Sequence, residues 1–105
     1  MDRTYIVLPE DFPKWKWSNN AKVLSVFMFL LFNANTKERY RGKDKIKRGA
    51  IDVTNEIISE SCGLTMQNVR TALACLEKTG DISRERRNRY QIITITDFEQ
   101  YKDDV

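Results

Sequence analysis

Gly63-Leu64-Thr65-Met66-Gln67-Asn68-Val69-Arg70-Thr71-Ala72-Leu73-Ala74-Cys75-Leu76-Glu77-Lys78-Thr79-Gly80 is the stretch on which the fold turns. A glycine at each end and an N-cap threonine, Thr65, bracket an apolar repeat of about 3.6 residues, which predicts a helix over 65–79. On a helical wheel Val69, Ala72, Leu73 and Leu76 gather on one side. Gln67, Arg70, Thr71, Ala74 and Lys78 fall on the other. That outer face offers amides, hydroxyls and positive charge but no carboxylate, a set suited to base edges and phosphates. An ordinary solvated face is the plainer account of the same residues. Gln67, Asn68 and Arg70 lie in the N-terminal half, the part a DNA-reading helix aims at bases.

The flanking residues give this helix a context. Upstream, Thr54 caps a short helix that ends at Cys62, with Ile57 and Ile58 read as turning inward and Gly63 supplying the left-handed corner. Short helix, tight turn and longer helix make a helix-turn-helix. Downstream, Asp81-Ile82-Ser83-Arg84 reads as a strand and Tyr90-Gln91-Ile92-Ile93-Thr94-Ile95-Thr96 as a stronger one, joined by a charged tip. Ala50-Ile51-Asp52-Val53 is a further short strand. The whole pattern predicts an α+β winged helix-turn-helix: a three-helix core, a C-terminal β-hairpin wing and a short first strand. At the wing, Arg84, Arg86, Arg87 and Arg89 face only Glu85 as a local counter-charge. Phosphate or minor-groove contact would relieve that repulsion, while a charged tip that blocks edge pairing is the alternative.

The remaining segments read as support. Residues 1–17 form an N-terminal arm, with a possible short strand at Tyr5–Leu8, in which Trp15 and Trp17 alternate with Lys14 and Lys16. The tryptophans either anchor the arm on the core or offer a base-stacking platform, and anchoring is the commoner use of Trp. Ser18-Asn19-Asn20 starts a helix running to about Asn35, whose centre, Val26–Phe32, is apolar all round. Such a helix is either wrapped by its own chain or buried in part against a second copy, so a homo-oligomer through residues 20–35 is expected as a partner arrangement. Thr36 to Arg48 reads as a polar basic loop. Residues 98–105 form a tail in which Phe98 and Tyr101 return to the core and Asp103-Asp104 frays.

The 105 residues form one domain large enough for a single core. Hydrophobic content of 41% against 31% charged fits a folded chain and argues against disorder. The net charge of +3 is modest, but its distribution is uneven. Lys37–Arg48 carries +5 and Arg84–Arg89 carries +3, which leaves the rest at −5. Two basic segments on an acidic body indicate a directed polyanion surface. Cys62 and Cys75 lack CxxC spacing and there is no histidine, so neither a zinc site nor His-dependent catalysis is expected. With no phosphate-binding glycine loop either, the expectation is a non-enzymatic protein without cofactor, metal or catalytic residues. Free cysteines suggest a cytoplasmic setting. No signal peptide is apparent, and no apolar run is long enough for a membrane span.

Several runs together resemble a known group. They are Trp15-Lys16-Trp17, Phe29-Leu30-Leu31 with Asn33-Ala34-Asn35, and Arg41-Gly42 before Ile46-Lys47-Arg48-Gly49. They continue with Gly63-Leu64-Thr65, Val69–Leu73, Leu76–Gly80, Asn88-Arg89-Tyr90, Ile92–Ile95 and Asp97–Tyr101. Across roughly Tyr5–Tyr101 the chain resembles the N-terminal winged-helix domain of phage and prophage replication proteins, the replisome-organiser group related to DnaD-type primosomal proteins. The resemblance implies DNA binding in replication initiation, often with self-association, and replication proteins as partners. Members commonly carry a further C-terminal domain, whose recruitment role is not carried over to this chain. Asp52 and the arginine-rich tip depart from the group. The expected DNA-binding residues are Thr65, Gln67, Asn68, Arg70, Thr71 and Lys78 on the helix, and Arg84, Arg86, Arg87 and Arg89 on the wing. Double-stranded DNA is the expected ligand, with affinity resting on the wing and on Lys37–Arg48 and register set by the helix. A transcriptional regulator, or a protein-interaction and oligomerisation module, are the alternatives.

Overall fold

Asn20, Thr54 and Thr65 each accept a hydrogen bond from the backbone N–H three residues on, and these caps start the three helices. The computed structural model describes residues 4–104, so Met1–Arg3 of the arm and Val105 of the tail lie outside the described residues. The helices are α1 (Ala21–Asn33), α2 (Asn55–Cys62) and α3 (Met66–Lys78). Among the described residues seven short strands accompany them: β1 (Thr4–Ile6), β2 (Arg39–Arg41), β3 (Asp44–Ile46), β4 (Ala50–Val53), β5 (Ile82–Arg86), β6 (Gln91–Ile95) and β7 (Lys102–Asp104). Gly63 stands at φ 66 in the corner between α2 and α3, a conformation that L side chains resist. The result is an α+β fold of three helices and small antiparallel sheets.

The central sheet has strand order β4-β6-β5, and its register gives each face a distinct task. Ile51 pairs with Ile93, Ile82 with Ile95, Arg84 with Ile93, and Arg86 with Gln91. These residues share the face that meets the helices, because Ile51, Val53, Ile82, Ile93 and Ile95 belong to the main core with α1 and α3. Ala50, Asp52, Ile92 and Glu85 alternate onto the opposite face. There Ala50 and Ile92 bury with Ile46 of β3 in a second, smaller core, against which Tyr90 packs.

α1 buries one broad side in its own chain. Val23, Val26, Phe27, Leu30 and Leu31 are buried, and Met28 and Phe29 pack partly against the core. Trp15 lies 4.8 Å from the Phe27 ring, and Tyr101 meets Phe27 edge-on at 5.5 Å. Its own chain thus covers part of this apolar helix, Leu24, Met28 and Phe29 are half-buried, and a contact with a second copy through residues 20–35 stays a proposal. Phe32, 65% exposed, is the large apolar side chain of α1 left in water. No helix among the described residues is long and apolar enough to cross a membrane.

Four expectations need correction. The segment read as a loop, Thr36 to Arg48, contains the antiparallel β2–β3 hairpin, because buried Ile46 and the ion pairs of its arginines give it a surface to pack on. The end read as frayed instead adds β7 to β1, with Ile6 opposite Lys102. The strand expected at Tyr5–Leu8 is β1, which ends at Ile6. Finally, Ile58 is buried but Ile57 is 49% exposed, since the two lie about 100° apart on a helix whose one buried residue is Ile58, so the core covers α2 along a narrow strip.

Candidate nucleic-acid interface

α3 presents the face that its period implies. Val69, Ala72, Leu73 and Leu76 are buried, whereas Gln67, Arg70, Thr71, Ala74 and Lys78 are exposed. Arg70 donates to Gln67 Oε1 at 3.2 Å, and Gln67 Nε2 donates to Thr71 Oγ1 at 3.4 Å, so the three form one polar strip. Asn68 is half-buried at its edge. Thr65 is exposed, but its hydroxyl accepts from the Asn68 N–H at 3.1 Å and so serves the helix as a cap.

A set of tertiary hydrogen bonds fixes the hairpin against α3. The indole of Trp15 donates to Asp81 at 3.2 Å and that of Trp17 to Thr79 at 3.1 Å, while Thr79 donates to Asp81 at 2.5 Å. Thr96 Oγ1 donates to the Gly80 carbonyl at 2.6 Å. Both tryptophans thus latch the arm onto the corner between α3 and β5, which favours anchoring over base stacking as their role. At the other end, Gln91 Nε2 donates to Asn55 Oδ1 at 2.5 Å and ties the hairpin to the start of α2.

Strand alternation then decides which charges of the β5–β6 hairpin point at α3. Arg84 and Arg86 share the helix-facing side of β5, and Glu85 lies on the reverse. The space between the hairpin, α3 and the start of α2 is a cleft of about 340 Å³. Arg70, Arg84, Arg86, Arg87 and Arg89 line it, with Glu56 as its carboxylate. A concave surface lined by one sign of charge concentrates the field, so this arginine-lined cleft is suited to attract an anion.

The arginines are not equally available. Arg84 donates to Glu77 Oε1 at 3.0 Å, and Arg87 donates to Asp44 at 2.8 Å and to Glu85 at 3.1 Å. The expectation that Glu85 alone balances the tip is therefore corrected: Glu77 and Asp44 lie far along the chain but adjacent in space. Arg86 and Arg89 are exposed and form no ion pair among the described residues. Arg70 and Lys78 are likewise exposed and outside the ion pairs. The same correction applies to Lys37–Arg48. Arg39 and Arg41 both bind Asp52, Lys45 meets Glu38 at 3.2 Å, and Arg48 meets Glu99 at 2.7 Å.

Asp44 and Asp52 hold the β2–β3 hairpin on the sheet. Asp44 accepts from the Tyr90 hydroxyl and from Arg87, and these hydrogen bonds lower its pKa below the ordinary carboxylate range. Burial alone would raise Asp52, but hydrogen bonds and charge from Arg41 and Arg39 outweigh it and its pKa is lowered. Tyr90 shifts upward, chiefly because its hydroxyl donates to the Asp44 carboxylate. The Arg41 guanidinium also stacks 4.0 Å from the centre of the Tyr90 ring. This network escaped the sequence reading. Its one local signal was Asp52, a carboxylate in a strand that is otherwise apolar.

Set against protein-family models, curated proteins and solved structures, the chain matches none of them.

Proposed function

We propose that this chain is a winged helix-turn-helix domain that binds double-stranded DNA, with α3 in the major groove and the β5–β6 hairpin as the wing. The observation that carries the reading is the arginine-lined cleft beside a helix face whose exposed residues are amides, hydroxyls and cations. Gln67, Asn68 and Thr71 meet base edges, Arg70 meets a base or phosphate, and Lys78 meets a neighbouring phosphate. Arg86 and Arg89 contact the backbone or minor groove from the wing. Arg84 and Arg87 orient the wing through Glu77 and Asp44 and contribute less directly. The Trp15–Asp81 and Trp17–Thr79 bonds support the reading because they hold helix and wing at one fixed angle, which simultaneous groove and backbone contact requires. The resemblance to replisome organisers supplies the setting, initiation of replication. A regulator would instead select a fixed palindromic site in a binding-site enrichment experiment.

Fluorescence anisotropy on duplex DNA across a salt series tests the reading. With Arg70, Lys78, Arg86 and Arg89 as the phosphate-neutralising groups, log K falls against log salt with a slope of about −3.6. Failure to bind at low salt, or a flat slope, rejects it.

A further inference from the structure

We propose that the outward face of the β2–β3 hairpin is a second nucleic-acid contact, in which Tyr40 stacks on unpaired bases of single-stranded DNA. Register assigns the two faces of this hairpin. Arg39 pairs with Ile46 and Arg41 with Asp44, and all four residues turn toward the sheet, where Ile46 is buried and both arginines reach Asp52. Tyr40 and Lys45 pair across the strands and therefore point the other way, where Lys45 is held by Glu38 at 3.2 Å and so is not one of the free cations. Tyr40 is 63% exposed. Lys43 in the loop and Lys47 after β3 are also exposed and form no ion pair among the described residues.

An exposed aromatic ring among lysines is the chemistry that binds single strands, with the ring stacking on a base and the cations tracking the backbone. A duplex keeps its base faces stacked, so an isolated tyrosine offers it little. Rigidity adds to the case. A two-stranded hairpin is marginal alone in water, yet this one is clamped by the second core, by the Asp52 ion pairs and by Asp44. The ring is thus presented at small ordering cost. The hairpin covers the sheet face opposite α3, so a duplex on α3 leaves Tyr40 accessible. The inference goes beyond the duplex-binding reading and stands on different residues.

Anisotropy with labelled oligo(dT) and with a labelled duplex separates the two sites. Tyr40→Ala is expected to weaken oligo(dT) binding about 5- to 150-fold, the range for loss of one stacking platform, and to leave duplex binding unchanged. Tyr40→Phe retains oligo(dT) binding, because the ring and not the hydroxyl does the stacking. Arg70→Ala with Arg86→Ala and Arg89→Ala loses the duplex and keeps oligo(dT), so a failure of one reading is distinguishable from a failure of the other. A wild-type chain that does not bind oligo(dT), or a Tyr40→Ala chain that binds it as well as wild type, overturns the inference. Circular dichroism on Tyr40→Ala confirms that the fold is intact.

Discussion

At the scale of single residues, charge counts less than charge that is free to act. Four arginines crowd the wing, yet Arg84 lies against Glu77 and Arg87 between Asp44 and Glu85, which leaves Arg86 and Arg89 as its unpaired cations among the described residues. Counterion release depends on phosphates contacted, not on formal charge. Arg86→Ala and Arg89→Ala are each expected to flatten the slope of log K against log salt by about 0.9, whereas Arg84→Ala leaves the slope unchanged. Anisotropy on one duplex with the three variants checks this, and an equal loss of slope in all three would show that the Glu77 pairing does not withhold Arg84. Thr65 differs, since its hydroxyl accepts the α3 cap bond through a lone pair and keeps its O–H to donate to a phosphate.

At the scale of elements, the β2–β3 hairpin and the wing act as one unit joined through Asp44, Asp52, Tyr90 and Arg41. Both carboxylates bind their protons more weakly in the folded chain than in the unfolded one. Their contribution is complete above the ordinary Asp range of about 3.9 and is lost as the pH falls through the lower folded values. Thermal melts of the wild type are therefore expected to lose stability on acidification below about pH 4. Asp52→Asn takes away much of the clamp at neutral pH, at a cost of about 1 to 2 kcal/mol given how exposed both arginines are, and flattens the acid limb. Matching acid limbs in variant and wild type would remove Asp52 from the clamp. This hairpin is also where the sequence reading fell short. The caps at Asn20, Thr54 and Thr65 and the corner at Gly63 are local signals, settled within a few residues, and they were legible. The outer face of α3 was legible for the same reason. The pairs Arg39–Asp52 and Arg87–Asp44 join residues 13 and 43 positions apart, and no local pattern encodes them. Lys37–Arg48 consequently looked like a loop of free charge, when much of that charge is what holds a hairpin to the sheet.

At the scale of the whole molecule, the two faces of one small sheet divide the surface. The helix-facing side carries the core and directs Arg84 and Arg86 into the cleft beside α3, and the reverse carries the second hairpin with Tyr40 outermost. With a net charge of only +3, general attraction to a polyanion is weak, and the proposed duplex contact draws its affinity from where the cations stand. The most direct test compares two triple variants with equal loss of charge. One is Arg70→Ala, Arg86→Ala and Arg89→Ala, and the other is Lys14→Ala, Lys22→Ala and Lys37→Ala, all exposed positions away from the cleft lining. Duplex affinity at fixed low salt is expected to fall by at least about 100-fold in the first and to change less than about threefold in the second. Equal losses in the two would contradict a directed interface on α3 and the wing and leave only net charge to explain the binding.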